Sequence, residues 1–238
     1  MKVAIITTHG QESSRYLCEG MVAAGIEARA FDLKREYVDG AGYDYVFSYG
    51  TSEVVGKARK KRYNSPVAVE TCVDKEATFR ALRKAGIPTC ESTTDKKVAR
   101  KWGFAVCREN VANRRNEGMT YWYAEDGDIP DAALYTKWFD HIREYRVVVF
   151  DGQTFIYFKS TDKETGLWNL NYRPCNGPWL WRMCEHALKA AKSIGIDYVG
   201  FDVLMNAKGE VCFLEANSSA VLCDEVRAAI INHFKGLK

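Results

Sequence analysis

Apolar runs and amphipathic stretches alternate over the first fifty residues. Residues 2–8 (KVAIITT) read as a buried strand, 13–24 carry helical spacing that stops at Gly25, and 27–31 and 44–50 read as further strands. That order predicts an α/β unit built on a parallel sheet. A helix is predicted over 74–85, with Asp74 as its N-cap and Gly86-Ile87-Pro88 ending it. From 104 the period becomes that of strands: FAVCRE, a polar loop containing Gly118, MTYWYA and, beyond Pro130, LYTKWF at 134–139. Together these predict a small sheet inserted between two larger lobes.

Two hairpins follow. Asp151-Gly152 is a strong signal for a two-residue turn. Counting back from it sets Phe150 opposite Gln153, Arg146 opposite Tyr157 and Glu144 opposite Lys159, with Arg146, Tyr157, Glu144 and Lys159 on one face. A helix over 180–194 places Leu180, Cys184, Ala187, Leu188 and Ala191 on one side and ends at Gly195. The second hairpin runs from Tyr198–Met205 to Glu210–Ala216 through NAKG. Pairing Asn206 with Gly209 predicts Asp202 opposite Phe213, on the same face as Glu215 and Asn217. A last helix from Asp224 groups Val226, Ala229, Ile230 and His233.

Composition narrows the class. With 238 residues, 47% hydrophobic and 27% charged, the chain can bury one large core or two interlocked ones. No apolar run approaches the ~20 residues that span a bilayer, and MKVAIITTHG turns polar too soon for a signal peptide, so a cytoplasmic protein without membrane contact is expected. The eight cysteines contain no CxxC pair, which predicts reduced core thiols over disulfides or zinc. A net charge of +3 argues against a dedicated nucleic-acid protein. The local candidate for such binding is KARKKR at 57–62 together with Arg114 and Arg115. The THGQESS loop after the first strand has neither GxGxxG nor GxxxxGK[ST], so it is no dinucleotide or P-loop fingerprint.

The chemistry concentrates on the hairpins. Asp202, Glu215 and Asn217 bring three oxygen-bearing side chains together among apolar neighbours (VGFDVLM, VCFLEAN). Two readings are open: the carboxylates hold a hard divalent cation such as Mg²⁺, or they cap backbone and pair with arginines. Arg146 and Lys159 share a face suited to phosphate oxygens, although Glu144 opposite Lys159 also allows a plain cross-strand ion pair. Arg108, in an otherwise apolar strand, and Arg173 are further anion-binding candidates.

These segments resemble, in order over most of the chain, the ATP-grasp superfamily of carboxylate–amine ligases. The nearest likeness is to compact phage and bacterial members related to the enzyme that adds glutamates to ribosomal protein S6. VETCVDKEATFRALRKAGIPT resembles the helix and Gly-Ile-Pro connector into the nucleotide lobe, and AVCRE the strand whose basic residue, here Arg108, touches ATP phosphates. LYTKWF resembles the adenine hinge, implicating Lys137 and the backbone of Trp138 and Phe139. EYRVVVFDGQ would put Glu144 on the ribose hydroxyls and Arg146 toward phosphates or acyl substrate. Lys159 matches a phosphate-contacting position. NLNYRPCNG, with Arg173, resembles the polar stretch before the next helix, and VGFDVLMNAKGEVCFLEAN is similar to the metal hairpin, with Asp202, Glu215 and Asn217 as ligands of Mg²⁺ or Mn²⁺.

The resemblance implies an ATP-grasp fold. Its parts would be an N-terminal parallel-sheet domain (1–72), a central lid sheet (73–139) and a C-terminal antiparallel core (140–238). It implies an ATP-dependent ligase joining small-molecule or peptide carboxylate and amine substrates through an acylphosphate, with Arg146, Lys159 and Arg173 catalytic. A macromolecule can serve as acceptor, and a phage-encoded chain would act in the host cytoplasm. The alternatives are a nucleotide-binding protein without ligase activity and a kinase or other phosphate-activated transferase. Two departures stand out: the glycine-rich loop is reduced to VANRRNEGM, with Asn113, Arg114, Arg115 and Asn116 in place of glycines, and Ser218-Ser219-Ala220-Val221 follows the asparagine where a Pro-Gly loop is common.

Overall fold

The computed structural model describes residues 1–8, 12–112, 118–159, 173–174, 177 and 180–237. The loop substitutions at Asn113, Arg114, Arg115 and Asn116, most of NLNYRPCNG, and Cys175 lie outside the described residues.

Three sheets carry the chain. The first is parallel, in the order β2-β1-β3-β4, from β1 (Lys2–Thr7), β2 (Glu27–Asp32), β3 (Tyr45–Ser48) and β4 (Lys61–Tyr63). Val3 to Ile6 of β1 are fully buried because β1 is a central strand with both faces covered. Helix α1 (Glu12–Ala23) makes the crossover from β1 to β2. The basic run at 57–62 is drawn inward at its end: Lys61 Nζ meets Asp197 Oδ1 at 2.6 Å, and Arg62 donates to Ser48 Oγ at 2.9 Å and to the Glu53 carbonyl at 2.7 Å.

Helix α2 (Pro66–Val73) starts with proline at its first turn and Ser65 as N-cap, where the missing proline N–H costs nothing. Helix α3 (Lys75–Lys84) follows at once. The expected cap is present: Asp74 Oδ1 accepts from the Ala77 N–H at 3.0 Å, and Gly86 takes the left-handed φ of 68° beyond the last turn. Then come β5 (Ser92–Thr93), α4 (Lys96–Arg100), β6 (Phe104–Arg108), β7 (Met119–Tyr123) and β8 (Leu134–Lys137). The strands make an antiparallel central sheet ordered β5-β8-β6-β7.

The remaining chain builds an antiparallel core sheet ordered β11-β10-β9-β12-β13, from β9 (Arg143–Phe150), β10 (Gln153–Lys159), β11 (Arg173–Pro174), β12 (Tyr198–Met205) and β13 (Val211–Asn217). Helix α5 (Trp181–Ile194) precedes β12, and α6 (Asp224–Gly236) closes the chain. One face of the core sheet, with Tyr145, Val147, Val149, Phe201, Val203 and Phe213, packs on α5 and on residues of α2 and α3. The other face carries Val148, Phe150, Tyr157 and Tyr198 against Val226, Ile230 and Phe234 of α6 and Phe47 and Tyr63 of the first sheet. Helix α6 is thus the apolar wedge that fastens the N-terminal sheet to the core.

The first hairpin has the counted register, Arg146 opposite Tyr157 and Glu144 opposite Lys159, with Asp151 and Gly152 both at positive φ (47° and 73°) as the turn demands. The second differs. Asp202 lies opposite Glu215, not Phe213. The turn is one residue longer, with the Asn206 N–H donating to the Glu210 carbonyl at 3.0 Å, and a bulge between Asp202 and Val203 adds a second offset. Two offsets restore parity, so Asp202, Glu215 and Asn217 still share one face.

Candidate functional site

Alternation on β9, β12 and β13 leaves a polar stripe on the α6 side of the core sheet, beyond the apolar wedge. Arg146, Asp202 and Glu215 stand directly opposite one another across three adjacent strands. Arg146 grips Asp202 with both arms of its fork: Nη2 lies 2.9 Å from Oδ2, and Nε donates to Oδ1. Lys159 Nζ bridges Asp202 Oδ2 and Glu144 Oε2, each at 3.3 Å. Asn217 donates its amide to Glu215 Oε1 at 2.8 Å.

Gly200 makes room for this arrangement. A Cβ there would meet Ala220 Cβ at 2.7 Å and Arg146 Cδ at 3.0 Å. Gly200→Ala is therefore expected to push the Arg146 stem off Asp202 and to cost about 1–3 kcal/mol by overpacking. Urea unfolding checks this, and an unchanged midpoint would show that Arg146 has slack.

Lys75, the first residue of α3, reaches the stripe from outside the sheet, its Nζ 3.7 Å from Glu215 Oε2. It was not among the residues singled out from sequence. A signal was present: a cation in the first turn of a helix opposes the macrodipole, so an acidic partner is required to explain it. Arg108, on β6 of the central sheet, is buried and close enough to feel the Glu215 charge. Lys75, Arg108, Arg146 and Lys159 thus face Glu144, Asp202 and Glu215, a surplus of one positive charge.

Burial pushes Asp202 up to about 6, helped by the Glu215 charge and opposed by Arg146 and Lys159. Burial also works to raise Glu215, but Lys75, the hydrogen bond from Asn217, and Arg146 outweigh it and hold that carboxyl at about 2. Lys159 is raised, since Asp202 and Glu144 overcome its desolvation. The Asp202 contribution to stability is fully present below its ordinary value of 3.8 and is lost as pH rises through 6. Glu215 behaves oppositely, contributing above 4.5 and failing as pH falls through 2. For the metal-free protein, the Asp202 part of the loss between pH 4.5 and 6.5 is on the order of 2 kcal/mol. Asp202→Asn is expected to flatten that slope in urea titrations, and an equal slope in both proteins would reject the assignment.

The hinge residues sit beside the stripe. Lys137 ends β8 and pairs with Glu91, Nζ to Oε1 at 2.6 Å. Trp138 stacks on Phe104 with centroids 4.6 Å apart, and Phe104 stacks in turn on Tyr123. Phe139 packs with Leu204, Leu214, Cys90 and Cys212. His141 connects the groups, with Nδ1 3.0 Å from the Phe139 carbonyl and Nε2 3.2 Å from Glu144 Oε1. Arg173 falls on β11 opposite Phe158, and its side chain lies outside the described residues.

A divalent cation can be tested against this donor set. Among the described residues no cluster of three His, Cys, Asp or Glu side chains has metal-site geometry. The set is instead two facing carboxylates and one amide, hard oxygen donors that suit Mg²⁺ when its remaining positions are filled by water or phosphate. The Arg146–Asp202 pair is the one that the arginine-pairing reading of the sequence expects, and Lys159 and Lys75 add lysine partners.

No protein-family model matches the sequence, and no curated protein matches it. Solved structures do. PsnB, described as an ATP-grasp ligase complexed with minimal precursor, Mg and ADP, superposes with a TM-score of 0.75 at 17% identity over 99% of this chain and 96% of that one. The macrocyclase MdnC from Microcystis aeruginosa, bound with precursor peptide MdnA, gives 0.73 at 14% identity over 98% and 99%. The chain has the ATP-grasp fold. An ATP-grasp RimK domain protein from Sphaerobacter thermophilus adds a third full-length likeness, with a TM-score of 0.71 at 14% identity over 98% and 96%. The polar stripe lies on the core sheet, within electrostatic reach of Arg108 on the central one.

Proposed function

We propose that the chain is an ATP-dependent carboxylate–amine ligase that makes an amide bond through an acylphosphate and releases ADP and phosphate. The observation that supports it most is the row Arg146-Asp202-Glu215 across the core sheet of an ATP-grasp fold, with Asn217, Lys159, Lys75 and Arg108 around it.

In this reading ATP lies between the central and core sheets. The adenine edge meets the backbone near Trp138 and Phe139, Lys137 borders the base, and Glu144 takes the ribose hydroxyls. Asp202, Glu215 and Asn217 would hold Mg²⁺, which when bound neutralises phosphate charge as a Lewis acid. Arg108 and Lys159 address the phosphate oxygens, and Arg146 exchanges part of its grip on Asp202 for the substrate carboxylate or γ-phosphoryl group, with Arg173 a further anion contact. A carboxylate oxygen attacks the γ-phosphorus and ADP leaves. The amine then attacks the acyl carbon, and phosphate departs with the carbonyl restored. Arg146 and Lys159 stabilise the oxyanion formed between those events, so positioning and electrostatics carry the rate without a covalent protein nucleophile.

PsnB and MdnC were solved with precursor peptides, which supports a peptide as one substrate here. The test is ADP and phosphate release from MgATP with pooled amino acids, amines and acidic peptides, followed by mass spectrometry. A product equal to two substrates, or one peptide, less water is expected. A phosphorylated product without an amide would instead identify a kinase, and tight ATP binding with no ADP from any mixture a binding protein.

A further inference from the structure

Two buried cysteines that the ligase reading leaves unused meet where the central sheet joins the core. Cys90 lies just before β5 and Cys212 in β13, 122 residues apart, and their Sγ atoms stand 2.6 Å from each other. That is about half an ångström beyond the covalent S–S length of about 2.05 Å. The backbone fixes the approach: the Phe213 N–H donates to the Pro88 carbonyl at 2.8 Å, and Thr89 bridges Phe213 in parallel. Leu204, Phe139 and Leu214 pack around the pair.

We propose that Cys90 and Cys212 are a reversible disulfide site that ties the central sheet to the core sheet and slows nucleotide turnover while the bond is closed. The chain enters the central sheet from α3 through Pro88 to Cys90 and leaves it for the core sheet through Trp138 to Asp140. A bond at Cys90 pins the first of them. Intracellular disulfides of this kind are transient and redox-sensing.

With hydrogen peroxide as oxidant, the Cys90 thiolate attacks one peroxide oxygen, giving a sulfenic acid and hydroxide, which leaves as water with the displaced proton. The Cys212 sulfur then attacks the sulfenic sulfur, forming S–S and releasing a second water. Two thiols lose two electrons to the peroxide oxygens. The hydrogen bond to Cys90, together with burial, raises the Cys212 thiol, so in the second step Cys212 gives its proton to the departing sulfenic hydroxyl, which leaves as water while S–S forms. A dithiol reverses the bond through a mixed disulfide.

The bond itself needs no assumption about the reaction; its effect on turnover rests on the nucleotide reading. The reduced full chain is treated with hydrogen peroxide, alkylated after unfolding, and analysed by intact mass and non-reducing peptide mapping. Expected are six alkyl groups in place of eight, a linked Cys90–Cys212 peptide, several-fold slower MgATP turnover, and reversal of all three by dithiothreitol. Cys90→Ser and Cys212→Ala should each abolish the link. The proposal is overturned if both thiols remain alkylatable, if Cys90 joins a different cysteine, or if the linked protein turns over MgATP at the reduced rate constant. A chain that links but releases no ADP even when reduced fails the ligase reading alone.

Discussion

Glu215→Gln should abolish MgATP turnover while leaving the fold intact. Glutamine keeps the shape and the hydrogen bond to Asn217 but removes the charge that Lys75 and the neighbouring groups hold at neutral pH. Asp202 loses a like-charged neighbour in the variant, so its own ionisation becomes easier, which offsets part of the stability that the ionised Glu215 contributes at neutral pH. The expected loss exceeds the roughly 10–100-fold that outer-shell partners of a metal site cost. Parallel measurement of ADP release and thermal melting checks this. Turnover within a few-fold of the parent, with the same melting curve, would remove Glu215 from the proposed metal set.

The second large effect is on stability. Arg146 and Asp202 are buried, with 8% and 5% of their surfaces exposed, and the fork between them is the tightest contact in the stripe. Arg146→Met leaves the Asp202 carboxylate with Lys159 as its remaining close cation among the described residues. Breaking a buried pair from one side costs about 3–5 kcal/mol, less whatever Lys159 offsets. The deficit should shrink as pH falls towards 6 and level off below it, because losing Arg146 raises Asp202 further and a protonated Asp202 no longer needs the guanidinium. Adding Asp202→Asn should recover most of the stability at neutral pH and none of the proposed activity. Urea unfolding of the parent, the single and the double variant at two pH values decides it; a single variant as stable as the parent would mean that water or Lys159 already satisfies Asp202.

Much of this site was legible before any coordinates because strand period and turn chemistry are local. Asp151-Gly152 fixes the β9–β10 register outright, and with it the placing of Glu144, Arg146, Tyr157 and Lys159 on one face. The caps Asp74 and Gly195 were equally readable, since each satisfies helix-end groups within a few residues. What escaped depends on contacts distant in sequence. Lys75 meets Glu215 only because α3 packs over the core sheet, and Cys90 meets Cys212 only through the Pro88–Phe213 hydrogen bond. β4 and α2 escaped for another reason: Lys61–Tyr63 reads as part of a basic run, and the Pro66–Val73 helix is apolar on too many sides to show a period.

The bulge at Leu214 in β13 also constrains how this chain can vary. The β12–β13 connection and the bulge each displace the ladder by one residue, and only their combination keeps Glu215 and Asn217 on the face that carries Asp202. Deleting a single loop residue between Asn206 and Glu210 would rotate both side chains into the apolar layer with Phe201 and Phe213, where an ionised carboxylate has no partner. Length changes in that connection are therefore tolerated in pairs, or singly with a matching loss of the bulge. A library of loop lengths, scored for soluble expression, should show that even–odd rhythm.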